Sequence, residues 1–433
     1  MTADSSESNY WQTTTSVPSA TEGDLHGHAD VIVIGAGFTG LSAARVLAKL
    51  GAKVAVLEAN SVGWGASSRN GGMVLTGMKL SAETLSGRYG IEMARRMYAA
   101  SLDSIALVEQ IVREESIDCD LSRCGHLEVA CKQSHFDAYA RSVEMIANDF
   151  NHQLRIIPRA ELSGEIGSTI YFGGIVDETS AGLNPARYVA GLAAAALKAG
   201  ASVYENARVQ KITCNSQNGV ANFELVTSRG TILARDVLVA TGGYTSDATP
   251  GLRKKIIPIG SFIIATETLL EDLARELSPR NRMIYDSKHY LHYYRLTPDN
   301  RMLFGGRAAF FPETKQTIRR SAEILRRDMV QVFPQLRNTE IEHAWGGTLD
   351  FCFDTMPHSG QQDGMYYALG YAGHGVAMAT YLGAKVAEQM SGSQVEIPYS
   401  AIPFPGAPLG LYNRTPWFLP FAGVFYKVLD WIS

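Results

Sequence analysis

Residues 30–58, DVIVIGAGFTGLSAARVLAKLGAKVAVLE, constrain the fold more than any other stretch of the chain. Asp30 to Ile34 is a β-branched run that reads as a buried parallel strand. Gly35, Gly37 and Gly40 follow as G-x-G-x-x-G, and Leu41, Ala44, Leu47 and Ala48 then recur at helical spacing up to Leu50 and Gly51. Lys53 to Leu57 is a second strand, closed by Glu58. Each glycine has a mechanical use in this order. Gly35 makes the tight turn, Gly37 lets backbone approach a pyrophosphate, and Gly40 lets helix and strand pack closely. The helix N-terminus offers free N–H groups and partial positive charge to the phosphates. Glu58 lies 18 residues after Gly40, where a carboxylate reaches both hydroxyls of a ribose. The stretch predicts a bound dinucleotide rather than turn chemistry alone.

The whole 433-residue chain is 46% hydrophobic and 19% charged, which suits a soluble globular protein of two or three domains. A formal charge of −4 gives nucleic acid no electrostatic footing. Cys119, Cys124, Cys131, Cys214 and Cys352 lack C-x-x-C or Cys/His spacing, so they read as free thiols in a reducing, cytoplasmic setting with no structural metal. No run reaches the ~18 uncharged apolar residues that span a bilayer. Residues 1–28 are rich in Ser and Thr and read as an extended or disordered arm, with Tyr10 and Trp11 as its only large anchors. In the tail at 401–433, Phe421, Val424, Phe425, Val428, Leu429 and Ile432 form one helical stripe, suited to its own domain, a subunit partner or a membrane surface.

After Glu58, Gly63, Gly65, Ala66, Gly71 and Gly72 are small enough for backbone to pass close to a ligand, and Ser67, Ser68, Arg69 and Asn70 add polar groups. Helical patterns at 81–117 and 135–150 then interrupt the nucleotide-binding pattern. It resumes with a helix from Asn184-Pro185 and the buried strand Val237-Leu238-Val239, which ends in Ala240-Thr241-Gly242-Gly243. A second interruption carries predicted antiparallel strands at Phe262–Glu267, Arg282–Asp286, Tyr290–Leu296 and Arg301–Gly305, and an amphipathic helix at 317–332. The strand Met365–Leu369, the turn Gly370-Tyr371-Ala372-Gly373-His374-Gly375 and a helix from Val376 repeat the strand–glycine turn–helix unit. The expected domains are 29–95, 180–246 and 340–400 for a discontinuous dinucleotide-binding unit, and 96–179 with 247–339 for a second unit.

The stretches VIVIGAGFTGLSAARVLAKLGAKVAVLEA, GWGASSRNGG, VLVATGGY and GYAGHGVAMATYLGAKVAE together resemble the D-amino-acid oxidase superfamily of FAD-dependent oxidases, in its γ-glutamylputrescine oxidase-like branch. HAWGGTLDFCFDTMP is also similar to that family. The resemblance implies an α/β fold: an FAD-binding Rossmann-like domain of the glutathione-reductase type with an inserted antiparallel-sheet α+β substrate domain. It implies FAD held by Gly35, Gly37 and Gly40 at the pyrophosphate, Glu58 at the adenosine ribose, and Ser67, Ser68, Arg69, Asn70, Gly71 and Gly72 along phosphates and flavin. Val209 would present backbone to the adenine, Gly242 would lie near the pyrophosphate, and Gly373, His374 and Gly375 would reach the N1/O2 side of the ring. Phe38, Thr39, Ala59, Gly65, Ala66, Ala240, Thr241 and Val376 complete the expected cofactor contacts.

The activity implied is removal of a hydride from the carbon next to an amine, giving an imine and then an aldehyde or ketone plus amine or ammonia. Dioxygen would be the acceptor and hydrogen peroxide the product. Amino-acid oxidases of the superfamily clamp the substrate carboxylate with an arginine. Here the best register places Thr297 at that position, with Arg295 two residues earlier, which points away from a simple α-amino acid. Cys352 falls near the segment where monomeric sarcosine oxidases attach FAD, in different surroundings, so non-covalent FAD is expected. The substrate walls are expected from Tyr290, His292, Tyr294, Arg295, Arg307 and Trp345, with His374, Tyr294 and Trp345 nearest the chemistry and Arg295 or Arg307 facing a remote carboxylate such as a γ-glutamyl group. His289, His292 and His343 have no metal-like arrangement. The alternative readings are a flavin dehydrogenase passing electrons to a quinone or carrier protein, a nicotinamide dehydrogenase and a non-catalytic flavin-bound scaffold.

Overall fold

His28–Ile34 is the middle strand of the first sheet, paired in parallel with Val54–Leu57 on one side and Gly230–Val239 on the other. This is the arrangement in a computed structural model that describes residues 8–217, 220–306, 314–410, 412 and 418. Ser202–Tyr204 extends the sheet beyond Val54–Leu57, and Met365–Leu369 lies parallel to the end of Gly230–Val239. His358–Gln362 closes that edge in antiparallel, and Val209–Gln217 with Val220–Thr227 forms an antiparallel extension. Both faces of the central strand are buried. Val31 and Val33 pack into one hydrophobic cluster with the helices Phe38–Lys49, Pro185–Lys198 and Gly375–Met390, while Ile32 and Ile34 pack into another. That is why these strands read as continuous apolar runs rather than alternating ones.

The second sheet runs, in spatial order, Ile341–Cys352, Ile256–Thr266, Met302–Gly306, His292–Leu296, Met283–Asp286, His126–Val129, Gly173–Asp177 and Arg155–Pro158. Three expectations need correction. The sheet is mixed rather than purely antiparallel, because Met283–Asp286 and His126–Val129 pair in parallel. Ile341–Cys352, expected with the dinucleotide unit, pairs along nearly its whole length with Ile256–Thr266 in the second sheet. Tyr290 precedes its strand, which begins at His292. One face of the sheet is covered by the helix Lys315–Val332, whose Leu325, Met329 and Val332 share a buried cluster with Tyr294, Phe304 and Phe333.

The N-terminal segment is ordered against the body. Tyr10–Thr13 forms a single helical turn capped by the Asn9 side chain, and Trp11 is fully buried. The predicted tail stripe from Phe421 to Ile432 lies outside the described residues, as does Arg307.

Candidate active site

Two helix N-termini meet at one place because their helices pack side by side. The backbone of Gly383, in Gly375–Met390, approaches the Thr39 carbonyl so closely that a Cβ would collide with it. Ser42 donates to the Thr380 carbonyl (2.7 Å), and the Thr39 and Tyr371 hydroxyls lie 2.7 Å apart. The turn at Gly35 has φ +107°, a conformation that favours glycine, and a Cβ there would lie 2.6 Å from the Ala240 carbonyl oxygen. Gly40 is packed on the Gly35 carbonyl, so its role is helix–strand contact rather than ligand contact.

These turns open onto a single cavity of about 1160 Å³. That exceeds the roughly 300–1,000 Å³ of an ordinary small-molecule pocket and suits an extended cofactor with room for a substrate. Gly35, Gly37, Phe38 and Thr39 line it at one helix, and Gly373, His374, Gly375 and Val376 at the other. Glu58, Ala59, Gly65, Ala66, Ser67, Arg69, Asn70, Gly71, Val209, Ala240, Thr241 and Gly242 also reach it. Ser68 and Gly72 do not. Ser68 is turned to the N-terminal segment, where its hydroxyl accepts from Gln12 (3.1 Å) and its carbonyl from the Asn9 amide (2.7 Å). Gly72 lies beneath Leu183 and Arg295.

The Ser67–Gly72 loop is fixed from behind. Asn70 donates to the carbonyls of Ala66 and Ser67 (both 3.0 Å) and accepts from Gly72 N (2.8 Å). Trp11 donates to the Asn70 carbonyl (2.9 Å) and Trp345 to the Arg69 carbonyl (3.2 Å). Arg69 itself stacks on Trp64, 4.6 Å from the ring centroid, and donates to the Trp64 carbonyl. Ser67 Oγ accepts from Phe38 N (3.0 Å), tying this loop to the first helix N-terminus.

Glu58 accepts from Ala36 N and Asn60 N, each at 2.9 Å. Burial pushes its carboxyl upward against the pull of these donors. At the other end, His374 is the N-cap of its helix, burial holds its pKa down at about 3, and the imidazole is neutral. Its Nδ1 is buried and has no hydrogen-bond partner within the protein. An orphaned polar atom of this kind calls for a ligand. With the glycine-lined cradle and the carboxylate at the far end, it makes the residues fit a dinucleotide cofactor. Asp350 lines the same wall, accepts from Gly370 N (2.8 Å) and is pushed up to about 6 by burial.

The cavity lining includes few of the residues expected at the substrate walls. Tyr290, His292, Tyr294, Arg295 and Trp345 do not line the cavity, whereas Leu291 and Tyr293 do. Tyr294 is fully buried, stacked on Phe304 (centroids 5.3 Å apart) with its hydroxyl on Tyr171 (2.8 Å). His292 is held between Asp286 and Asp328. Arg295 is buried and donates to the carbonyls of Gly72 (3.2 Å) and Leu183 (3.0 Å). Trp345 packs with Tyr10 and Trp11. The physical reason is that helix Lys315–Val332 covers the face carrying Tyr294, leaving Leu291 and Tyr293 toward the cavity. Both faces of this strand carry aromatic side chains, so alternation alone does not choose between them. Sequence reasoning also missed Lys79, Glu128 and Tyr285, which line the cavity from other segments. Glu128 gives the one local signal, a carboxylate within the otherwise apolar run Leu127-Glu128-Val129.

Cys352 also lines the cavity. It is packed against Gly370, and burial raises its thiol well above the usual range. Among the described residues no group of His, Cys, Asp and Glu is arranged to hold a metal ion, and no helix is long and apolar enough to cross a membrane.

Comparison with known proteins gives the same outline. The sequence profile of the family described as FAD dependent oxidoreductase matches residues 30–389. A probable oxidoreductase OrdL of Haemophilus influenzae is 36% identical over 372 residues, covering 84% of this chain and 83% of that protein. The γ-glutamylputrescine oxidoreductase of Escherichia coli is 32% identical over 407 residues, covering 93% and 92%. The crystal structure of glycine oxidase from Geobacillus kaustophilus superposes with a TM-score of 0.73 at 20% identity, covering 87% of this chain and 98% of that one, and so shares the fold.

Proposed function

The chain belongs to the FAD-dependent oxidoreductase family, and on that premise we propose that it is an amine oxidase, removing a hydride from the carbon next to an amine nitrogen. The observation that carries this reading is a cavity running without interruption from Glu58, past both helix N-termini, to a sheet face lined by Leu291 and Tyr293. FAD supplies the hydride-accepting chemistry when bound. The residues in named roles are the chain's own. Gly35 and Gly37 admit the pyrophosphate, Glu58 takes ribose hydroxyls, and Arg69, Asn70 and Gly71 hold the loop beside the ring. Neutral His374 offers a hydrogen bond beside the helix dipole at the flavin end. Tyr293 and Leu291 pack the carbon chain of the substrate and exclude water from it. The raised Cys352 thiol supports non-covalent attachment, because the thiolate is the nucleophilic form.

The relative from Escherichia coli is named for γ-glutamylputrescine, and an N-acylated or γ-glutamylated amine is the substrate class we favour. Dioxygen is the proposed acceptor, with hydrogen peroxide as product. The test is anaerobic bleaching of the bound flavin across polyamines, γ-glutamylated amines and N-methyl amino acids, followed by turnover with dioxygen and with an artificial acceptor. Bleaching by an amine and fast peroxide release are expected. A flavin that no amine reduces would contradict the proposal, and reduction without peroxide would move the acceptor to a quinone or carrier.

A further inference from the structure

Glu128 lines the cavity from the short strand His126–Val129. The parallel register sets Tyr285 directly beside it, and His126, two residues away, shares its face of the sheet. A chain of hydrogen bonds ends on its carboxylate. Thr76 N donates to Ser180 Oγ (3.2 Å), which is hydrogen-bonded to His126 Nδ1 (2.8 Å). His126 Nε2 lies 3.2 Å from the Tyr285 hydroxyl, and Tyr285 donates to Glu128 Oε2 (3.5 Å). From the other side Tyr139, which is not part of the cavity wall, donates to Glu128 Oε1 (3.2 Å). Burial lowers the His126 pKa to about 4, so the imidazole beside Tyr285 is neutral and adds no second positive charge next to Glu128.

Two tyrosine hydroxyls, those of Tyr285 and Tyr139, donate to the two oxygens of Glu128. Hydrogen bonds to both oxygens favour an anion, and Glu128 itself lines the cavity. Burial raises the Glu128 carboxyl, and the Tyr139 hydroxyl, the charge of Lys79 on the same wall and the Tyr285 hydroxyl oppose that rise, as a cation arriving from the cavity also would. A buried carboxylate supported from behind and open in front is built to receive a cation. Hydride removal requires the reacting amine to be neutral, so the cation it receives is a different nitrogen of the substrate. We propose that Glu128 is the anchor for a second, protonated ammonium of the substrate, so that the chain selects amines bearing a cationic nitrogen at their far end. The inference rests on the amine-oxidase reading and deepens it.

The test uses the FAD-loaded full chain under anaerobic conditions. Binding of α,ω-diaminoalkanes with three to six carbons is compared with binding of the amino alcohols in which a hydroxyl replaces the far ammonium, read by flavin absorbance shifts and by calorimetry. The wild type is expected to prefer the best diamine by about tenfold or more, as for a charge-assisted contact out of water. Glu128→Gln should abolish that preference while flavin content is retained. Glu128→Asp, which withdraws the carboxylate by one methylene, should keep a preference and move its optimum to a longer diamine. A wild type that binds both series equally would overturn the proposal, as would a preference that survives Glu128→Gln. Should Glu128→Gln fail to load flavin, an optimum unmoved in Glu128→Asp overturns it and a shift to longer diamines supports it. If amines bind with the expected preference but none bleaches the flavin, the oxidase reading fails and the anchor stands.

Discussion

Asp350 sits beneath the turn at Gly370, where it is buried and its pKa is raised to about 6 from an ordinary 3.8. The folded protein therefore holds this proton more tightly than the unfolded chain. Its stabilising contribution is complete below about pH 4 and is lost as pH rises through about 6, a change on the order of 3 kcal/mol. Asp350→Asn should remove this part of the pH dependence. Denaturant melts of both proteins at pH 4 and pH 7 check it, and equal slopes in the two would contradict the assignment. A second prediction separates the two faces of one strand. Tyr294→Phe loses only the hydroxyl contact with Tyr171, costing about 1 kcal/mol of stability with an unchanged KM. Tyr293→Ala opens the cavity wall and should raise KM severalfold. Steady-state kinetics beside thermal melts decide this, and a KM that responds to Tyr294→Phe would return that residue to the substrate site.

At the level of elements, the parts of the site legible in the sequence were those built locally. The strand, turn and helix around Gly35 and the repeat around Gly373 carry their chemistry within consecutive residues, and the structure brings both to one cavity. The lining at the far end of the cavity was not legible because it depends on which side of a sheet a distant helix covers, and on pairing between strands far apart in the chain. Tyr285 and His126, for example, are 159 residues apart. The N-terminal segment shows the same limitation. Its composition reads as an arm, yet Asn9, Trp11 and Gln12 bond to the Ser68–Asn70 loop from behind. Trp11→Ala should cost about 3 kcal/mol and loosen that loop. A lower melting temperature with faster loss of flavin on dialysis is expected, and a stable variant that retains its flavin would show that the segment does not brace the site.

Across the whole molecule, two sheets share one cavity. The first presents helix N-termini and the Glu58 carboxylate, and the second closes the far end with Tyr293, Leu291, Tyr285 and Glu128. The crossing of Phe38–Lys49 with Gly375–Met390 is what aims both N-termini at the same space. The most direct measurement of this account is the electron density of crystals of the FAD-loaded protein. It should show one FAD extending from Glu58 past Gly37 to His374, with the flavin ring between the Gly373–Gly375 turn and the sheet face carrying Tyr293. A flavin ring lying away from His374, or density dividing the turns at Gly35 and Gly373 between separate ligands, would contradict it.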